Sequence, residues 1–144
     1  MSDHPTVFLF VHVIFSVRRQ EKLLAKPARK VLFVHMQKEG EEKGIRILAV
    51  NGVEDHIHLL VQLMPSQNLV QVVRSIKTAS SGWLNENKLL TSDFEWEEGY
   101  SALSVSPSSV KQVKEYLDKQ EEHHKTKTLE SELEAFERLK ESLW

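Results

Sequence analysis

The chain has 144 residues, 40% of them hydrophobic and 28% charged, a balance that fits one soluble domain with an ordinary core. With 0 cysteines it excludes disulfides and thiolate metal sites, and it is compatible with a reducing compartment. A net charge of −2 excludes a uniformly basic surface, so binding to nucleic acid would need a local basic patch.

The chain begins without a basic n-region and small-residue cleavage site, so no signal peptide is expected. Thr6 to Val17 (TVFLFVHVIFSV) reads as a long strand, apolar on both faces and central in a sheet. Its apolar run is interrupted by His12 and Ser16 and is too short to span a bilayer, so no membrane association is expected. Pro27 suits the first turn of a helix that Ala28 to Lys43 continues, with Gly44 as its stop and Gly40 weakening its last turn. Ile45 to Val50 is a short strand. Asn51-Gly52 signals a turn, with a ladder that resumes only after Glu54 as the alternative, and the strand of His56 follows, paired antiparallel with Ile45 to Val50. Asn68 caps a helix to about residue 85, whose apolar stripe is Leu69, Val72, Val73, Ile76, Ala79, Trp83 and Leu84.

A polar connection over 86–99 carries Phe94 and Trp96. Tyr100 to Ser106 is the fourth strand, and Pro107 opens a helix from Val110 to about residue 124. Thr128 starts a last helix, to about residue 142, with an acidic first turn. The order strand, helix, strand, strand, helix, strand matches a ferredoxin-like α+β layout with both crossover helices on one sheet face. A single domain over residues 1–144 is expected, its core at about 6–124. The other sheet face then needs its own cover, and the helix of Tyr116 is the candidate.

Chemistry gathers at two places. In Asp55-His56-Ile57-His58-Leu59-Leu60-Val61, alternation puts Ile57, Leu59 and Val61 on one face and the two histidines on the other. Two imidazoles about 7 Å apart at Cα can converge on one divalent ion. An isolated His-x-His is more often a solvated strand face, so a second constellation matters. On the C-terminal helix, Val110, Val113 and Leu117 form the apolar stripe, Tyr116 falls at its edge, and Gln120 follows one turn later on the same side. Two imidazoles, an amide oxygen and a phenol suit Mg²⁺ or Mn²⁺, with imidazole favouring Mn²⁺. Such an ion polarises a phosphate oxygen, and a phenolate then attacks phosphorus. His12, in the first strand, reads as a core histidine or a support to the metal ligands.

These stretches together resemble the single-tyrosine HUH transposases of bacterial insertion sequences and their REP-associated relatives. The similarity runs through HVIFSVRRQEKLL, NGVEDHIHLLV, SIKTASSGWLNE, FEWEEGYSALSVS and VKEYLDKQEEHH. His56-Ile57-His58 is weak alone; followed at this distance by Tyr116 and Gln120 in Y-x-x-x-Q it is specific. The resemblance implies a metal on His56, His58 and Gln120 and a nucleophilic Tyr116. It implies cleavage and rejoining of single-stranded DNA beside hairpins through a 5′-phosphotyrosine link. It also implies a homodimer with active sites shared between subunits, and a cytoplasmic, nucleoid-associated protein. DNA contacts are expected from Arg18, Arg19, Lys22, Arg74, Lys77, Lys111 and Lys114. The alternative is a domesticated module that binds DNA or RNA hairpins without cutting, which would need none of the four site residues.

Overall fold

The computed structural model describes residues 6–119, with Glu134, Arg138 and Ser142 beyond them. The strands are β1 (Leu9–Ser16), β2 (Arg46–Gly52), β3 (His56–Leu63) and β4 (Ser101–Val105). The helices are α1 (Lys26–Glu42), α2 (Leu69–Glu86) and α3 (Val110–Asp118), with short 3-10 turns at Arg18–Gln20 and Pro107–Ser109. The strands form one antiparallel sheet in the order β2-β3-β1-β4, the expected ferredoxin-like arrangement with β1 inside. The helix expected at about 128–142, and the end of the tyrosine helix past residue 119, lie outside the described residues.

Sequence periodicity explains the two sheet faces. Val11, Val13 and Phe15 of β1 and Ile57, Leu59 and Val61 of β3 are all buried on one face. There they join Leu32 and Met36 of α1 and Val72, Val73, Ile76 and Leu84 of α2 in the main core. The helix signals hold locally. Asn68 caps α2 by accepting from Gln71 N at 3.3 Å. Gly44, at φ 70°, follows the end of α1, a conformation that costs glycine little.

Two expectations are corrected. The stretch over 86–99, read as a polar connection, supplies Phe94 and Trp96 to the main core, where Trp96 lies edge-on to both Phe94 and Phe15 at 4.7 Å. Asn85 fixes this segment by clasping both backbone groups of Phe94, at 2.7 and 2.9 Å, and Ser80 accepts from Trp96 Nε1 at 2.9 Å. Polar flanks at Glu95, Glu97 and Glu98 disguise these two anchors in the sequence. At Asn51-Gly52 the ladder does resume only after Glu54, but the two residues themselves are not the turn. Both residues belong to β2, and the chain reverses over 53–55, closed by Val53 N donating to His56 O at 3.0 Å. Gly52 is required there by close approach: a Cβ would stand 2.4 Å from His56 O and 2.8 Å from Ile57 Cα.

Candidate active site

The second sheet face carries the chemistry. His56 and His58 project from it, side by side on β3, as alternation predicts. Opposite them on β1 stand Ser16 and Ile14, and His12 lies one pleat further along that strand, opposite Leu60. Asn51 of β2 faces His58 from the other side. α3 covers this face. Leu117, fully buried, packs with Ala49 and Leu60, and Val110, Val113 and Tyr116 border that small cluster. The predicted stripe of α3 is therefore the one that docks, with Tyr116 at its half-buried edge.

Both histidines are fully buried, at 0% exposure, rather than solvated. Imidazole nitrogens so placed need hydrogen-bonding partners. His56 Nδ1 lies 2.7 Å from Asp55 Oδ1, and His58 Nδ1 lies 2.9 Å from His12 Nε2. The rings of His56 and His58 are 5.2 Å apart, and those of His12 and His58 are 5.1 Å apart. The Tyr116 ring stands edge-on to both His58 and His12, at 6.2 and 6.3 Å. The phenol and the imidazoles, 58 residues apart in sequence between His58 and Tyr116, thus converge within one chain.

Sequence reasoning missed the contact that fastens the tyrosine helix. Asn51 Nδ2 donates to Leu117 O at 2.8 Å, satisfying one of the carbonyls that a helix C-terminus leaves open, next to Tyr116. Asn51 Oδ1 meanwhile accepts from Gly52 N at 2.9 Å. Placing Asn51 in a turn hid this role; its register opposite His58 is the signal that reveals it.

The chemistry of the donor set fits a metal. In both site histidines Nδ1 has a partner within the chain, His56 through Asp55 and His58 through His12, the kind of support that a ligating histidine commonly has. Among the described residues, no group of three or more His, Cys, Asp or Glu side chains is disposed to hold an ion. Gln120, the amide expected to join His56 and His58, lies outside the described residues.

The seven expected DNA-contacting cations are not gathered into one patch. Arg18, Arg19 and Lys22 are exposed just past β1, whose last residue Ser16 pairs with His56, so they leave the sheet at the histidine end. Arg18 pairs with Glu95, and the turn is held by Arg19 N donating to Glu97 Oε2 at 2.9 Å. Lys111 and Lys114 are exposed on α3, whereas Arg74 is exposed on α2, across the sheet. Lys77 is committed elsewhere: its ammonium donates to Glu97 O at 2.6 Å and Gly99 O at 2.9 Å and lies over the Phe15 ring. Burial lowers its pKa, against the opposing pull of Glu97 and Glu98.

An α+β sheet with its crossover helices on one face and a tyrosine-bearing helix on the other is the architecture of single-tyrosine transposases. The chain belongs to the IS200-like transposase family, whose model matches residues 7–120, and it is a transposase of the single-tyrosine type. It is 23% identical over 114 residues to the ISDra2 transposase TnpA of Deinococcus radiodurans, covering 76% of this chain and 81% of that protein. Its fold is similar to that of a candidate transposase from Deinococcus radiodurans R1, with a TM-score of 0.66 at 20% identity, over 83% of this chain and 96% of that one. It is also similar to a REP-associated tyrosine transposase solved bound to a REP hairpin, with a TM-score of 0.55 at 14% identity, over 82% and 69% of the two chains. Among the described residues no helix is long and apolar enough to cross a membrane.

Proposed function

We propose that this transposase cleaves and rejoins single-stranded DNA beside hairpins, with Tyr116 as nucleophile and a divalent metal held by His56, His58 and Gln120. The observation that carries the reading is the burial of two imidazoles side by side beneath the helix that brings Tyr116 to 6.2 Å from His58, ring to ring. Mg²⁺ or Mn²⁺ bound there would supply Lewis-acid polarisation of the scissile phosphate.

The rest falls to the chain's own side chains. Tyr116 Oη, once it has lost its proton, forms a bond to phosphorus, and the bond from phosphorus to the 3′-oxygen breaks. The products are a 5′-phosphotyrosine and a 3′-hydroxyl, the leaving oxygen having taken up a proton. The reverse attack by a 3′-hydroxyl rejoins strands with no external energy source, because the phosphodiester is conserved in the protein link. α3 fixes where the phenol stands, and Asn51 and Leu117 fix α3. Arg18, Arg19 and Lys22, at the histidine end of the sheet, would neutralise the phosphates flanking the cut, with Arg74, Lys111 and Lys114 as outlying contacts. The hairpin held by the REP-associated neighbour supports hairpin DNA as the ligand here.

One nucleophilic tyrosine per chain must serve two strand ends, which favours a homodimer. A shared site would set α3 of one subunit over the histidines of the other in the manner seen within this chain. Mixing Tyr116→Phe protein with His58→Ala protein should then restore cleavage that neither variant shows alone.

The deciding experiment is a denaturing gel of the protein with 5′- and 3′-labelled hairpin DNA and Mn²⁺. The expected result is a covalent adduct on the new 5′ end, carried by the 3′-labelled fragment, that disappears in Tyr116→Phe, a change that removes one oxygen and little packing. An adduct that survives in the Phe variant refutes the assignment, and binding without any adduct in the wild type favours the non-cleaving module.

A further inference from the structure

The segment that becomes β4 does not follow β1 closely to its end. Ser101 pairs with Ile14 and Trp96 bridges Val17, so residues 97–100 bulge out opposite only Phe15 and Ser16. The bulge leaves a cleft of about 250 Å³ at the sheet edge, whose lining includes Ile14, Ser16, Gln20, Glu97, Glu98 and Ser101. The bulge is held in shape. Lys77 donates to the carbonyls of Glu97 and Gly99, and Glu97 N donates to Ser16 O at 2.8 Å. Gln20 enters the cleft from the Arg18–Gln20 turn, where two successive residues with side chains adopt the left-handed region, Arg19 at φ 59° and Gln20 at φ 55°. Such backbone is costly for any residue with a Cβ and gathers at functional sites. Arg19 N donating to Glu97 Oε2 ties this turn to the bulge. The cleft adjoins the histidine pair: Ser16 pairs with His56 and Ile14 with His58, one strand spacing of roughly 4.8 Å away.

We propose that this cleft takes one unpaired nucleobase, adenine or cytosine, from the strand whose phosphate sits at the histidines, and that Gln20 and Glu98 read its edge. The proposal rests on the single-stranded DNA reading above and adds the base preference. The volume lies just below the range of about 300–1,000 Å³ that holds drug-sized ligands, which suits one base rather than two. The lining disfavours a phosphate, since its described residues include two carboxylates and no cation. Arg18, Arg19 and Lys22, exposed beside it, are left for the DNA backbone. A carboxylate only accepts, so Glu98 selects a base edge that donates, whereas the Gln20 amide can also donate. Adenine and cytosine each set an amino donor beside a ring nitrogen that accepts, which matches that pair. Thymine has no amino group, and its carbonyl oxygens would face the carboxylate. A good bidentate contact separates right from wrong bases by about 5- to 150-fold. Gln20 and Glu98 are both exposed, so the low end of that range applies.

Fluorescence anisotropy on the full chain tests this without cleavage. The probes are one fixed hairpin carrying a short single-stranded tail of dA, dC or dT, on either side. The tails carry equal phosphate charge, so the electrostatic part of binding cancels between them. Wild type and Tyr116→Phe should both bind the dA and dC tails about 5- to 10-fold more tightly than the dT tail. Gln20→Ala and Glu98→Leu should bring that ratio to within about twofold. Glu98→Gln, whose amide can donate to a thymine carbonyl, should narrow it with the dT tail gaining most. A wild-type ratio within about twofold, or a preference that survives unchanged in Gln20→Ala and Glu98→Leu, overturns the proposal while the DNA reading stands, because the hairpins still bind. Failure to bind any of the hairpins refutes the DNA reading and the role of the cleft with it. A base preference that Gln20→Ala and Glu98→Leu abolish, in a protein that forms no covalent adduct, sinks the cleavage reading alone and supports the cleft.

Discussion

Leu117→Ala should release the tyrosine helix without unfolding the sheet. Leu117 is fully buried and is the side chain through which α3 enters the cluster of Ala49 and Leu60. Truncation removes three carbons, about 2.4 kcal/mol of transfer free energy at roughly 0.8 per carbon, and a cavity raises the total to about 2–5 kcal/mol. Val110, Val113 and Tyr116 are only half-buried, and the Asn51 bond adds about 0.5–1.5 kcal/mol. A helix of 9 residues has little stability of its own, so losing the Leu117 contact leaves docking close to balance. The main core lies across the sheet and is untouched. Native-state hydrogen exchange should therefore show α3 amides losing most of their protection while α2 amides keep theirs, and adduct yield should fall with α3 protection. Leu59→Ala, in the main core, is the control and should weaken every element together. If Leu117→Ala lowers α2 and α3 protection equally, or leaves adduct yield intact, α3 docking is not what places Tyr116.

Gly52→Ala should cost about 1–3 kcal/mol in urea denaturation, because the new Cβ meets β3 backbone rather than a movable side chain; a change below about 0.5 would show that the reversal tolerates it. Lys77 gives a pH signature. Its folded-state pKa lies below the usual 10.5, so between those two values the unfolded chain holds more protons, and wild-type stability should rise with pH relative to Lys77→Met. A difference that falls as pH climbs toward 10.5 contradicts the burial argument. Light scattering at micromolar concentration should return twice the 16.7 kDa chain mass, and a monomer with full cleavage activity rules out the dimer.

The fold was legible where a residue's role depends on its neighbours in sequence. Alternation in β3 separated the histidines from Ile57, Leu59 and Val61, and the stripe of Val110, Val113 and Leu117 identified the docking side of α3. Roles that depend on register were not legible. Asn51-Gly52 has the composition of a turn, and only its pairing with His58 and Ile57 shows that it lies within a strand, where its side chain is free to bond α3. Lys77 is one lysine among many by sequence; its engagement follows from the carbonyls of Glu97 and Gly99, which a loop with no periodic pattern brings beneath it. Phe94 and Trp96 were obscured by the acidic residues around them.

The division of the protein into two unequal faces has a consequence for catalysis. Stability is concentrated on the face of α1 and α2, where an extensive apolar cluster closes over β1 and β3. The opposite face can then carry three histidines, which a single-faced domain of this length could not bury beneath so short a helix without losing much of its core. Under the proposed function that cover raises a problem of access, since imidazoles with no exposure are beyond the reach of a DNA phosphate. α3 is the described helix over this face, and its attachment through Leu117 and Asn51 makes a shift of it inexpensive next to any opening of the main core. The same attachment must be strong enough to return Tyr116 to in-line geometry once the strand is seated. Docking of α3 is thus expected to be tuned between these limits. Strengthening it should slow DNA entry, and weakening it, as in Leu117→Ala, should lower the fraction of bound strands that meet the tyrosine.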